Sequence, residues 1–95
     1  MLTSKQRAHL RSMASTYDTI MQVGKVGVSP NVIKTISDAL EARELVKISI
    51  LDTAMMDARA TCSAVAEALG AEPVQAIGSR FVLYRESKEN KTIVI

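Results

Sequence analysis

Two glycines and a proline punctuate the stretch Gly24-Lys25-Val26-Gly27-Val28-Ser29-Pro30, and the elements on either side follow from them. Before the stretch, Ile20 to Val23 is short, apolar and β-prone. After it, Ser29 is a helix N-cap residue and Pro30 suits the first helical position, where a missing N–H leaves no bond unmade. The stretch is therefore a strand-to-helix turn. Glycine, lacking Cβ, permits a tight turn, and it also lets bare backbone amides approach an anion at a helix start. Spacing alone leaves both readings open: a plain turn, or a cradle for phosphate.

The rest of the chain divides by hydrophobic period. Thr3 and Gln6 form a capping-box pair, and Leu10, Met13, Ala14 and Tyr17 then recur at helical spacing, which predicts a helix near 4–16. Val32, Ile33, Ile36, Ala39 and Leu40 give the second helix, near 30–43, with Lys34 and Asp38 as an i,i+4 pair outside. Leu45 to Leu51 reads as a strand with Val46, Ile48 and Ile50 on one face. Asp52 to Met56 is a connection, and a third helix near 56–69 buries Ala58, Cys62, Val65, Ala66 and Leu69 before Gly70 stops it. Pro73 marks entry to a strand over Val74 to Ile77, and Gly78-Ser79-Arg80 turns it into another over Phe81 to Arg85. The polar tail from Glu86 ends in Ile93, Val94 and Ile95, which either dock as a short strand or fray. The expected order is α-β-α-β-α-β-β: one α/β domain over 1–95, a mixed four-stranded sheet with packed helices, and 86–95 as a looser tail.

Composition narrows the function. With 95 residues there is room for a single core. Lys5, Arg7 and Arg11 interrupt any leader-like N-terminus, and no apolar run approaches the ~20 residues of a membrane span. A cytoplasmic protein without membrane attachment is the expectation. Charge is segregated: residues 1–34 carry +4, 35–76 carry −4 and 77–95 carry +2. Such a polarised surface offers a basic side to an anionic partner.

Catalytic chemistry finds no foothold. His9, the one histidine, lies among basic residues, and Cys62, the one cysteine, sits on a core stripe with no acid or base to activate it. Nothing resembles a metal-ligand cluster, a P-loop or a dinucleotide fingerprint. No enzyme activity, metal, cofactor or small-molecule substrate is expected, and the sequence does not specify an oligomeric state.

Four blocks carry a resemblance: Leu2-Thr3-Ser4-Lys5-Gln6-Arg7 with Leu10-Arg11, then Val23-Gly24-Lys25-Val26-Gly27-Val28-Ser29, then Glu44-Leu45-Val46-Lys47, then Ile77-Gly78-Ser79-Arg80-Phe81-Val82-Leu83-Tyr84-Arg85. In this order and spacing they resemble the YhbY-type CRM domain family, over nearly the whole chain. The chain departs from the family pattern at Val26, at Ser79-Arg80 and at Thr19. The resemblance implies a fold similar to the C-terminal domain of bacterial translation initiation factor three. It also implies RNA binding, to ribosomal RNA of large-subunit precursors during ribosome assembly. The family's GxxG loop maps to Gly24, Lys25, Val26 and Gly27, and the basic contacts to Lys5, Arg7, Arg11, Lys34, Arg80 and Arg85. With only Tyr17, Phe81 and Tyr84 aromatic, contact should be to backbone and shape rather than by stacking. The alternative is a protein-binding adaptor on the ribosome, using the acidic middle segment and no direct RNA contact.

Overall fold

A helix begins where a side chain can satisfy amides that have no carbonyl one turn back. In the computed structural model, which describes residues 2–24, 28–51, 57–89, 91 and 93, three residues do this. Thr3 and Gln6 close a full capping box on α1 (Ser4–Ala14). Ser29 Oγ accepts from Val32 N at the start of α2 (Pro30–Arg43), with Pro30 inside the first turn. Asp57 accepts from Ala60 N at 2.9 Å to open α3 (Ala58–Leu69), which Gly70 ends at a left-handed φ of 65°. Between them lie β1 (Met21–Val23), β2 (Leu45–Ile50), β3 (Glu72–Ile77) and β4 (Arg80–Tyr84).

The strands form one sheet in the order β1-β2-β4-β3. β1 lies parallel to β2, while β4 is antiparallel to both β2 and β3, so the sheet is mixed as expected. Alternation along each strand then feeds two cores. Val46, Ile48, Ile50, Phe81 and Leu83 meet Ile36 and Leu40 of α2 and Cys62 and Val65 of α3 on one face. Leu45, Val82, Tyr84 and the displaced Val74 meet Leu10 and Ala14 of α1 on the other. Phe81 is fully buried, as a core residue rather than a stacking platform.

Several boundaries differ from the sequence expectation. The first helix stops at Ala14 rather than near residue 16, because Ser15 and Thr16 turn their hydroxyls onto Ser12 O and Met13 O. Lys47 Nζ donates to Ala14 O and Tyr17 O from the sheet, a cation set at the helix C-terminus. Tyr17 therefore leaves the apolar stripe and is 37% exposed. Pro73 lies inside β3 instead of at its entry, which an edge strand tolerates, and the ladder shifts register between Pro73 and Gln75. Arg80 is the first residue of β4, so the turn is Gly78-Ser79, with Gly78 at φ 59°. Lys34 and Asp38 form no ion pair among the described residues. The expected connection over 52–56 lies outside the described residues.

The junction after α2 depends on one charged side chain. Glu44 has a positive φ of 65° and is fully buried. Its carboxylate accepts from Ser87 N and Ile93 N, each at 2.8 Å. Glu41 accepts from Ser87 Oγ at 2.6 Å and from Lys88 N. The described part of the tail is thus docked on α2, with Ile93 in the smaller core.

Candidate functional site

Strand direction decides which loops meet. Val23 pairs with Ile50, Ser49 with Arg80, and Arg80 with Ile77, so β1, β2 and β3 end where β4 begins. Leu51 N donates to Val23 O at 2.9 Å, and Ile50 N donates to Ser79 O at 2.6 Å, binding the loops into one surface. Gly24, Leu51 and the Gly78-Ser79 turn therefore share one end of the sheet. α2 runs directly into β2 and α3 nearly directly into β3, both at the opposite end. Their N-termini consequently point toward the Gly24 end, each bringing a positive dipole end there, that of α3 already capped by the Asp57 carboxylate.

Gly24 itself is half-buried, and its φ lies outside the left-handed region. Among the described residues, a Cβ built on it would meet Leu51 Cδ1 alone, at 3.5 Å, an ordinary van der Waals distance. Nothing in the described fold requires glycine there. Lys25, Val26 and Gly27, the other loop candidates, lie outside the described residues.

The basic candidates divide into groups. Arg80 is exposed at the Gly24 end, and Lys34 is exposed on the second turn of α2. Lys5 is exposed on α1. Arg7 and Arg11 face a different feature, a groove of about 530 Å³ along β3 that Arg59 of α3 also lines. Sequence reading missed Arg59 because it sits in the acidic middle segment, and a charge summed along the chain hides a side chain that folding moves elsewhere. Its signal was its place two residues after the Asp57 cap, at a helix start. Arg85 turns inward: its guanidinium donates to Leu69 O at 3.1 Å and to Ser37 O and Oγ at 2.9 and 3.2 Å. That geometry ties α2 to the end of α3.

Cys62 is buried, and loss of solvation pushes its thiol up to about 11, so it stays protonated at neutral pH. Glu41 is held below its usual value, first by the Ser87 hydroxyl and then by the Lys88 amide. Burial, then the Glu44 charge, raises Tyr84. Among the described residues no three His, Cys, Asp or Glu side chains group to hold a metal, and no helix is long and apolar enough to cross a membrane.

Comparison with known proteins gives this geometry a family. The model of the CRS1/YhbY (CRM) domain matches residues 2–85. A Bacillus subtilis (strain 168) protein named "Probable RNA-binding protein YqeI" is 50% identical over 93 residues, covering 98% of this chain and 97% of its own. A Haemophilus influenzae protein named "RNA-binding protein" is 30% identical over 90 residues, covering 95% and 91%. The solution structure of SAV1595 from Staphylococcus aureus superposes with a TM-score of 0.77 at 46% identity, over 96% of this chain and 95% of that one. The match spans the capped helices, the Gly24 end of the sheet and the β3-β4 hairpin together: this chain belongs to the CRS1/YhbY (CRM) domain family.

Proposed function

We propose that this protein binds RNA, namely ribosomal RNA of large-subunit precursors, and that it does so in the cytoplasm during ribosome assembly without catalysing a reaction. Family membership and relatives named for RNA binding support the class of partner. One observation carries the reading of the site: Gly24 has no left-handed φ, and among the described residues nothing crowds its Cβ position. A glycine the fold does not need is accounted for by a ligand that packs on bare backbone. In this reading the amides of the Gly24–Gly27 loop and the start of α2 hold a phosphate. Lys25, Lys34 and Arg80 add charge around it, and Lys5, Arg7 and Arg11 extend the basic face along α1. Contact is to the RNA backbone, so discrimination among sequences is weak.

The test is a salt titration of binding to a ribosomal RNA fragment. For about five phosphate contacts to single-stranded RNA, log affinity should fall with log salt at a slope near −3.5. Lys25→Ala should make that slope shallower by about 0.7 while leaving stability within about 0.5 kcal/mol. A flat salt response would refute the reading and favour a protein-mediated route to the ribosome.

A further inference from the structure

The groove along β3 has a chemistry of its own. β3 is an edge of the sheet, and its outer side is flanked by Arg7 and Arg11 from α1 on one face and Arg59 from α3 on the other. Arg11 and Arg59 are exposed. Arg7 is half-buried, and its Nε is shielded from solvent with no hydrogen-bond partner. A shielded donor without an acceptor is costly unless something supplies one. Among the described residues no carboxylate forms an ion pair with any of the three arginines. Guanidinium groups that line one groove and have no ion-paired carboxylate among the described residues match the planar oxygens of phosphate or carboxylate.

The edge itself separates those two sources. A peptide would use β3 by adding a strand, but Pro73 has no N–H to offer and the ladder shifts register between Pro73 and Gln75. An interrupted edge is a poor template for a peptide, whereas phosphates need no regular ladder. The groove also closes on Ile77, which is 67% exposed and offers an apolar surface to a ribose or base. Ile77 lies at the same sheet end as Gly24, opposite Arg80 in the ladder. Three strand spacings, about 14 Å, separate β1 from β3.

We propose that the Arg7–Arg11–Arg59 groove is a second backbone subsite for single-stranded RNA. A strand held at Gly24 crosses the strand ends past Arg80 and lays its following phosphates against Arg59, Arg11 and Arg7. This rests on the RNA-binding reading above, and it adds Arg59 and the β3 edge to the contact surface.

The experiment is fluorescence anisotropy of a labelled oligouridylate of about twelve nucleotides, titrated with the full chain across a range of salt. Arg59→Ala should weaken binding about fivefold at about 0.1 M salt and make the slope shallower by about 0.7; Arg11→Ala with Arg59→Ala should weaken it about 25-fold. Both side chains are exposed, so the melting temperature should not move. Arg43→Ala is the control, since Arg43 is exposed in the last turn of α2, at the opposite end. Should Lys25→Ala weaken binding while Arg59→Ala and Arg11→Ala leave affinity and slope unchanged, the groove is no subsite and the RNA-binding reading survives at the Gly24 loop, without its Arg11 contact. If the wild-type chain binds no RNA at all, both are overturned. If Arg43→Ala costs as much as Arg59→Ala, the effect is bulk charge and the groove proposal falls. It falls equally if Arg59→Ala abolishes capture of an Asp/Glu-rich peptide while RNA affinity holds.

Discussion

Replacing Gly24 with alanine separates a glycine kept for folding from one kept for a ligand. In the folded chain the residue occupies a φ that any amino acid adopts, and the added methyl would lie 3.5 Å from Leu51 Cδ1. Leu51 is 39% exposed, so the methyl covers apolar surface without displacing any described residue. The unfolded chain, by contrast, loses conformational freedom when glycine becomes alanine. Stability should therefore rise, by about 0.4–1 kcal/mol, and the melting temperature by about 2–8 °C. RNA affinity should move the other way. A methyl between the backbone and a phosphate oxygen removes one charge-assisted hydrogen bond, worth about 1.5–3 kcal/mol, or roughly a 10- to 150-fold weakening. Urea denaturation and anisotropy on the same preparation measure both quantities. If Gly24→Ala destabilises the fold by more than about 1 kcal/mol, glycine is there for the backbone. Unchanged affinity in a stable variant would show that no ligand packs on this position. Either outcome refutes the reasoning.

Arg85→Ala removes three hydrogen bonds that join α2 to α3, and should cost about 1–3 kcal/mol in urea denaturation while RNA affinity of the folded protein is unchanged. Glu44→Ala strips the acceptor from two buried amides, and should cost about 2–4 kcal/mol and expose the tail to proteolysis. Glu41 has a depressed pKa, so its hold on Ser87 and Lys88 persists at and above its usual 4.5 and weakens as pH falls through the lower folded value, visible as earlier amide exchange of the tail. Cys62 is shifted the opposite way: its neutral thiol is favoured by the fold, so its contribution is complete below pH 9.0 and is lost as pH rises toward about 11. Cys62→Ala should flatten that part of the alkaline stability profile, and the wild-type thiol should resist alkylation at neutral pH until the chain unfolds.

Local features were legible because they act over one helical turn or one strand. Thr3 with Gln6, Ser29 with Pro30, and Gly70 each determine a helix end through bonds to atoms within four residues, and all three ends stand where they were expected. Apolar alternation in β2 likewise marked its inward face of Val46, Ile48 and Ile50, whereas the unbroken apolar run of β4 left open which of its side chains faced which core. The resemblance carried by the four motif blocks reached the family. What chain order cannot express is which strand lies beside which. β4 pairs between β2 and β3, and that placement brings Arg80 to the Gly24 end and leaves β3 as the open edge. It depends on both faces of the sheet finding helices at once, a condition set by the whole molecule. Charged side chains were the least legible for the same reason. Arg85 and Glu44 look like surface residues, yet each is held inside by acceptors or donors that are distant in sequence. Arg59 looks like a minor charge in an acidic segment, yet α3 carries it to the groove that Arg7 and Arg11 share. A charge finds its role through partners, and only the tertiary structure supplies them.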